Sequence, residues 1–255
     1  MDLVLDISDV KITWFETFFN KKDYKKIGFK SSAGLDSSLL LYILSYFITK
    51  TETFDKVIYP YHGWDKSQTD LDSPSVIKNI ISFIRSQFPK VDIRDPYILE
   101  FYSYDKFGNN IRSNHSKGIF GKDTGCPFPK EAEKYLLEKY DIDIFLNGRN
   151  CNLTRKETEK LGIISTYDEQ RDPRRDRENI LTAFDKMHGY FAETTAIENS
   201  PWYNVNKFGI RELYEKFELM ETLAPMTISC THIGPPYPCG KCHWCKEKQS
   251  IFGFL

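Results

Sequence analysis

An α/β fold built on a doubly wound parallel sheet, with a small C-terminal lobe appended, is predicted by three features of this 255-residue chain. Apolar segments from Lys26 to Leu99 alternate in the order strand, helix, strand, helix, strand, which favours parallel strands with helices on both faces. A loop of small residues, Ser32-Ala33-Gly34-Leu35-Asp36-Ser37-Ser38, separates the first strand from the first helix. Four cysteines, Cys230, Cys239, Cys242 and Cys245, cluster near the end and define the lobe.

Residues 8–20 read in two ways. Ser8 followed by Ile12, Phe15 and Phe19 suits a capped amphipathic helix, whereas the alternation Val10, Ile12, Trp14 suits a short strand. Either makes residues 1–25 an N-terminal addition to the sheet. Lys26–Lys30 is then the first sheet strand. Residues 36–50 form an apolar helix whose Leu39, Leu40, Leu41, Ile43, Leu44 and Phe47 require burial on more than one face. A second strand spans 54–61, a helix opening on Ser73-Pro74 spans 73–88, and a third strand spans 91–99. The stretch 102–129, rich in Gly, Asn, Ser and Lys and without a period, is expected to be a long loop. Residues 131–140 read as a helix, and 142–146 as a fourth buried strand ending in Asn147-Gly148-Arg149-Asn150. The mixed-charge run 168–179 is expected to be a solvated loop, with further helices over 180–191 and 210–221. Residues 26–200 thus make up the sheet domain and 201–255 the helical, cysteine-bearing lobe.

Hydrophobic residues make up 40% of the chain and charged residues 28%, the balance of a water-soluble globular protein. No run of eighteen apolar residues is present, so no membrane span is expected. Asp2 and Asp6 stand where a secretory signal needs positive charge, and a cytoplasmic location is expected. In a reducing compartment clustered cysteines suit metal binding better than disulfides. A net charge of -1 argues against wholesale nucleic-acid binding. Aromatics, at 15%, are read as core. A homodimer is left open.

Residues 32–38 present successive backbone N–H groups and hydroxyls at a helix start, where unpaired donors and partial positive charge favour a phosphate group. Neither Gly-x4-Gly-Lys-Ser/Thr nor Gly-x-Gly-x-x-Gly is present, so ordinary P-loop and dinucleotide sites are not indicated. A plain Asp/Ser helix cap after a glycine turn would look the same. Ala33 would be strained if its position required positive φ.

Cys230-x8-Cys239-x2-Cys242-x2-Cys245 can wrap a single tetrahedral Zn2+, with an iron–sulfur cluster or redox thiols as alternatives. With four thiols at hand, His232 and His243 are expected beside the metal rather than bound to it. A closed four-sulfur site leaves no open coordination position, which gives the metal a structural role.

The segment Ser32 to Ser37 resembles the Ser-Gly-Gly-x-Asp-Ser signature of the PP-loop ATP pyrophosphatases, with Ala33 in place of a glycine. Thr227-Ile228-Ser229-Cys230, followed by Cys239-Gly240-x-Cys242-x-x-Cys245, Lys248 and Phe252, resembles the end of the 7-cyano-7-deazaguanine synthases. Pro201 through Lys207 to Ile210, Arg211 and Leu213 resembles their preceding Pro-x5-Lys segment. The likeness covers residues 26–65 and 201–252, more loosely 142–150; the family's Tyr-Gly-Gln is here Tyr61-His62-Gly63-Trp64. It implies an adenine nucleotide alpha hydrolase-like fold that binds ATP and Mg2+. It also implies adenylation of a carboxylate with release of AMP and pyrophosphate, then attack by ammonia or an amine. In those relatives 7-carboxy-7-deazaguanine becomes the amide and then the nitrile.

By the same resemblance, the loop from Ser32 through Ala33, Gly34, Leu35, Asp36 and Ser37 to Ser38 holds the β and γ phosphates. Asp36 positions the loop or Mg2+, and Lys207 neutralises the phosphates. Tyr61, Arg149 and Asn150, at strand ends facing the crevice, are candidate substrate contacts. Two other readings stay open: a tRNA sulfurtransferase using Cys126 or Cys151 as nucleophile, and a nucleotide-binding, zinc-stabilised interaction protein without turnover.

Overall fold

The computed structural model describes residues 4–8, 10–21, 23–66, 72–101, 128–163, 176, 199–230 and 237–255. Of the loop expected over 102–129, residues 102–127 lie outside the described residues, as do the charge run apart from Asp176 and the helix expected over 180–191; Phe128 and Pro129 belong instead to the helix expected from 131.

The N-terminal stretch contains both elements its pattern suggested. β1 (Leu5–Ile7) and β2 (Val10–Ile12) form an antiparallel hairpin, and α1 (Trp14–Lys21) follows. Ser8 lies in the hairpin turn instead of capping a helix, and its N–H donates to the Glu212 carboxylate at 2.8 Å. α1 buries Phe15 against the rings of Phe47 and Trp202, at centroid distances of 4.8 and 5.9 Å.

Among the described residues the main sheet has five strands, all parallel. β3 (Lys26–Lys30) lies between β4 (Val57–Asp65) and β7 (Ile144–Asn147). The far side of β4 pairs first with β5 (Asp92–Ile93) and then with β6 (Tyr97–Phe101). The single strand expected over 91–99 is therefore two, and proline accounts for the gap. Residues of β4 alternate in the side to which their backbone groups point. The Tyr61 carbonyl accepts from Ser31 toward β3, while the Ile58 carbonyl accepts from Arg94 toward β5. Pro60 shares the side of Ile58 and offers no N–H there, and Pro96 lies in the break between β5 and β6.

Side-chain alternation divides the sheet into two faces. Ile27, Phe29, Ile58, Ile144 and Leu146 enter the larger core with α2 (Leu35–Lys50) and α3 (Ser73–Gln87). Tyr61 and Phe145 enter a smaller core with Ala132 and Leu136 of α4 (Phe128–Tyr140). Both faces are covered, so the sheet is doubly wound as predicted. Gly28 is needed for this packing, because a methyl group there would run into the Phe145 ring.

α2 is buried from Leu35 to Ile48 on more than one face, as its apolar run requires. α3 is capped one residue earlier than its Ser-Pro start suggests, by Asp72 accepting from the Ser75 N–H at 3.1 Å. α5 (Arg155–Lys160) was not expected, although its Thr154-x-x-Glu157 capping box is written in the sequence. α6 (Lys207–Lys216) begins earlier than the expected 210–221 because Asn206 accepts from the Phe208 and Gly209 N–H groups. It ends early where Glu218 turns to φ 56°. A 3-10 turn, Ala224–Met226, follows, and α7 (His243–Phe252) closes the described chain, stopped by Gly253 at φ 85°. Among the described residues no helix is long and apolar enough to cross a membrane.

Candidate functional site

The connection from β3 to α2 lies at the topological switch point. β4 continues the sheet on one side of β3 and β7 on the other, which is where ligands bind in open parallel sheets. No side chain caps α2: Gly34 occupies the cap position in extended conformation and leaves the first-turn N–H groups without a side-chain acceptor. The serines brace the turn from inside. Ser37 and Ser38, both buried, place their hydroxyls 3.2 and 2.9 Å from the Gly34 carbonyl. The Ser32 and Ser37 hydroxyls lie 3.0 Å apart. Ala33 does adopt positive φ, at 59°. This left-handed conformation costs about 1–2 kcal/mol for a residue with a side chain. It is held by a buried methyl group and a 2.8 Å bond from the Ile228 N–H to the Ala33 carbonyl.

Asp36, in the first turn of α2, meets Lys207 from across the molecule. The Lys207 ammonium donates to both carboxylate oxygens, at 2.7 and 2.8 Å. Lys207 is the first residue of α6 and only 5% exposed, so it is not the solvated helix-start lysine its position would suggest. A cation at a helix N-terminus opposes the helix dipole, so helix stability alone does not favour it there. Trp202 and Tyr214 fasten the same turn, donating to the Asp36 and Leu35 carbonyls at 3.0 and 2.9 Å.

The candidate substrate contacts are buried or half-buried. Tyr61 is 1% exposed and donates its hydroxyl to Glu133 at 2.6 Å, beneath α4. Asn150 is 1% exposed, and Arg149 is half-buried with its carbonyl 2.8 Å from the Ser200 hydroxyl. Cys151 is buried, its N–H bonded to the Val205 carbonyl at 2.9 Å. Cys126 and His232 lie outside the described residues.

Gly148 presses the end of β7 against the head of α2. A Cβ there would stand 2.6 Å from the Ser37 nitrogen, a backbone atom with nowhere to go. Gly148→Ala is therefore expected to lower stability by roughly 2 kcal/mol or more, read from urea midpoints, and to displace the first turn of α2.

Sequence reasoning passed over His62, which ties the loop to α3. Its Nδ1 lies 2.8 Å from the Ser31 carbonyl and its Nε2 2.8 Å from the Ser73 hydroxyl. The carbonyl can only accept, so the proton sits on Nδ1 and Ser73 donates to Nε2. Burial lowers the imidazole to about 4, the Ser31 carbonyl opposing and Lys30 adding to the effect. Below its ordinary value of about 6.5 the unfolded chain takes up a proton here that the folded chain refuses until about pH 4. This contribution is complete above pH 6.5 and is lost as pH falls toward 4, about 3 kcal/mol in all. Urea midpoints at pH 7 and pH 4.5 should show a smaller fall in His62→Gln than in the wild type.

The four cysteine sulfurs lie within 4.8 Å of one another. The N–H groups of Lys241 and Cys242 point at the Cys239 sulfur, at 3.4 and 3.3 Å, and the Cys239 N–H points at the Cys230 sulfur at 3.4 Å. Such N–H donors favour thiolate, the form a metal needs. Next to this cluster, α7 carries buried His243, Glu247 and Lys248. Lys248 donates to the Thr227 carbonyl at 2.8 Å; burial lowers its ammonium to about 8, Cys245 opposing and Lys207 adding to the effect. Glu247 brings a carboxylate oxygen to 3.8 Å from Lys207. The cysteine lobe and the loop at α2 therefore adjoin, and no sequence signal marked Glu247 as the residue between them.

No protein-family model and no curated protein matches the chain. Among solved structures it is similar to the U34-tRNA thiolase NcsA from Methanococcus maripaludis with its 4Fe-4S cluster. The identity is 14%, over 91% of this chain and 71% of that one, with a TM-score of 0.40. The class therefore stands on the geometry: a doubly wound α/β protein with an uncapped helix head at its switch point and a four-thiol cluster beside it.

Proposed function

We propose that this chain is an ATP-using enzyme of the PP-loop pyrophosphatase type that adenylates a carboxylate. The observation that carries the reading is the meeting of Lys207 with Asp36, 171 residues apart in sequence, at the uncapped head of α2. In this reading the β and γ phosphates of ATP rest on backbone N–H groups of residues 32–38. Lys207 turns from Asp36 to the phosphates, and Asp36 is freed to face Mg2+, whose charge would offset that of the leaving group. A carboxylate oxygen attacks the α-phosphorus, and the bond to the bridging oxygen breaks with its electron pair leaving as pyrophosphate. Ammonia then attacks the acyl carbon, loses a proton and expels AMP. The residues contribute position and charge; none forms a covalent bond to substrate.

The finer proposal takes 7-carboxy-7-deazaguanine as the acid and ammonia as the amine. Zn2+ is proposed for the cysteine cluster, since sulfurs this close suit one tetrahedral ion with Zn–S bonds of about 2.3 Å. A reducing, cytoplasmic compartment would keep the thiols available to it. The test is pyrophosphate release from ATP and Mg2+ with and without the acid and ammonia. Release that depends on the acid supports the substrate; release that answers only to other carboxylates transfers the reading to them.

Sulfur transfer to tRNA is the second reading, favoured by the position of Cys151 directly after the strand-end residues Asn147 to Asn150. It predicts ATP consumption that depends on tRNA and a sulfur donor and is lost in Cys151→Ser or Cys126→Ser.

A further inference from the structure

Glu247 sits on α7 between Cys245 and Lys248 and is 6% exposed. One of its carboxylate oxygens lies 3.8 Å from the Lys207 ammonium, and the other lies 3.9 Å from Nε2 of His243. A carboxylate is seldom buried without positive charge to face. At 3.8 Å the Lys207 contact is too long for a hydrogen bond, so Glu247 acts on that residue through charge. Asp36 already occupies Lys207 with two short bonds. Lys207 therefore faces two carboxylates, one from the loop helix and one from the cysteine lobe.

We propose that Glu247 sets the affinity of the phosphate site, partly neutralising Lys207 so that product pyrophosphate can leave. The inference rests on the phosphate-loop reading above. Its physical basis is the sign of the charges. An uncapped helix head and a buried ammonium together favour a polyanion, and they would hold the product as well as the substrate. A fixed negative charge 3.8 Å from the ammonium lowers the local potential. Glu247 also brings this effect from α7, so the affinity of the loop depends on how the cysteine lobe is seated.

The electrostatic role and a merely structural one predict opposite signs. Removing an anion near an anion site tightens binding if geometry is kept, whereas disturbing a packed helix loosens it. Inorganic pyrophosphate with Mg2+ is titrated calorimetrically into metal-loaded, full-length wild type, Glu247→Gln, Glu247→Asp, Lys207→Met and the Gln/Met double variant. Glu247→Gln is expected to bind pyrophosphate roughly tenfold more tightly, the size of a single charge felt across several ångströms of protein. Glu247→Asp, which keeps the charge, should stay near wild type. In the Lys207→Met background the same Gln substitution should still tighten binding, because the charge of Glu247 acts on the bound anion directly, whereas a role confined to holding Lys207 would leave affinity unchanged there. In turnover Glu247→Gln should lower KM for ATP and kcat together, the pattern of slowed product release. Glu247→Met replaces it if the Gln variant does not fold. Unchanged or weaker pyrophosphate binding in the uncharged variants overturns the inference. A wild type that binds no pyrophosphate overturns both it and the phosphate-loop reading.

Discussion

Asp36→Ala is expected to abolish ATP cleavage and also to destabilise the fold, and the two effects have different causes. Catalysis should fall by on the order of a hundredfold or more, the loss typical when a positioned group in a preorganised charge site is removed. Stability should fall by about 3 kcal/mol, because the buried Lys207 would lose its hydrogen-bonded carboxylate. Glu247 at 3.8 Å offsets part of that loss, which places the value at the low end of the range for broken buried pairs. Lys207→Met should lose comparable activity at a smaller stability cost. The side chain it leaves behind, Asp36, is 21% exposed and can turn to water, whereas the side chain of Lys207 is 6% exposed. Thermal melts and pyrophosphate release on the two variants check the asymmetry. Equal destabilisation by both would show that the pair is worth no more than its packing.

Removing metal from the cysteine cluster is expected to unseat the phosphate loop as well as the lobe. Cys230 ends the segment whose Thr227 carbonyl accepts from Lys248 and whose Ile228 N–H holds Ala33 at positive φ. Four thiolates without a metal repel one another, and folding energy that depends on the metal is on the order of 10 kcal/mol in small zinc-bound peptides. Chelation should therefore melt α7, release Ala33 from its strained conformation and weaken ATP binding at the same chelator concentration. Hydrogen exchange at Ile228, followed together with nucleotide affinity, reads both ends. Loss of metal with the loop and its affinity intact would separate the two sites.

The parallel sheet was legible because apolar runs of strand and helix length alternate with clear breaks, as from Lys26 through Lys50. The cysteine cluster was legible from spacing alone. What escaped reading depended on contacts between distant residues. Pro60, on the side of β4 that pairs with β5 and β6, bears on the break that holds Pro96 only once the strands are paired. α7 was hidden because Cys242 and Cys245, at its cap and in its first turn, carry the spacing of a metal motif, while Ile251 and Phe252, which anchor it in the core, show no long apolar period. Lys207 could be picked out by resemblance, but its burial could not, since a lysine at a helix start normally points to water. Glu247 and His62 carry no local signature at all; their roles come from what the fold brings beside them.

Whether the loop at α2 with Asp36 and Lys207 directs cleavage of ATP between its α and β phosphates, as proposed, is decided by separating the nucleotide products formed by metal-loaded protein with Mg2+ and a carboxylate panel. AMP and pyrophosphate in equal amounts, lost in both Asp36→Ala and Lys207→Met, is the result predicted. ADP and phosphate, or no cleavage with any acid despite ATP binding, would contradict it.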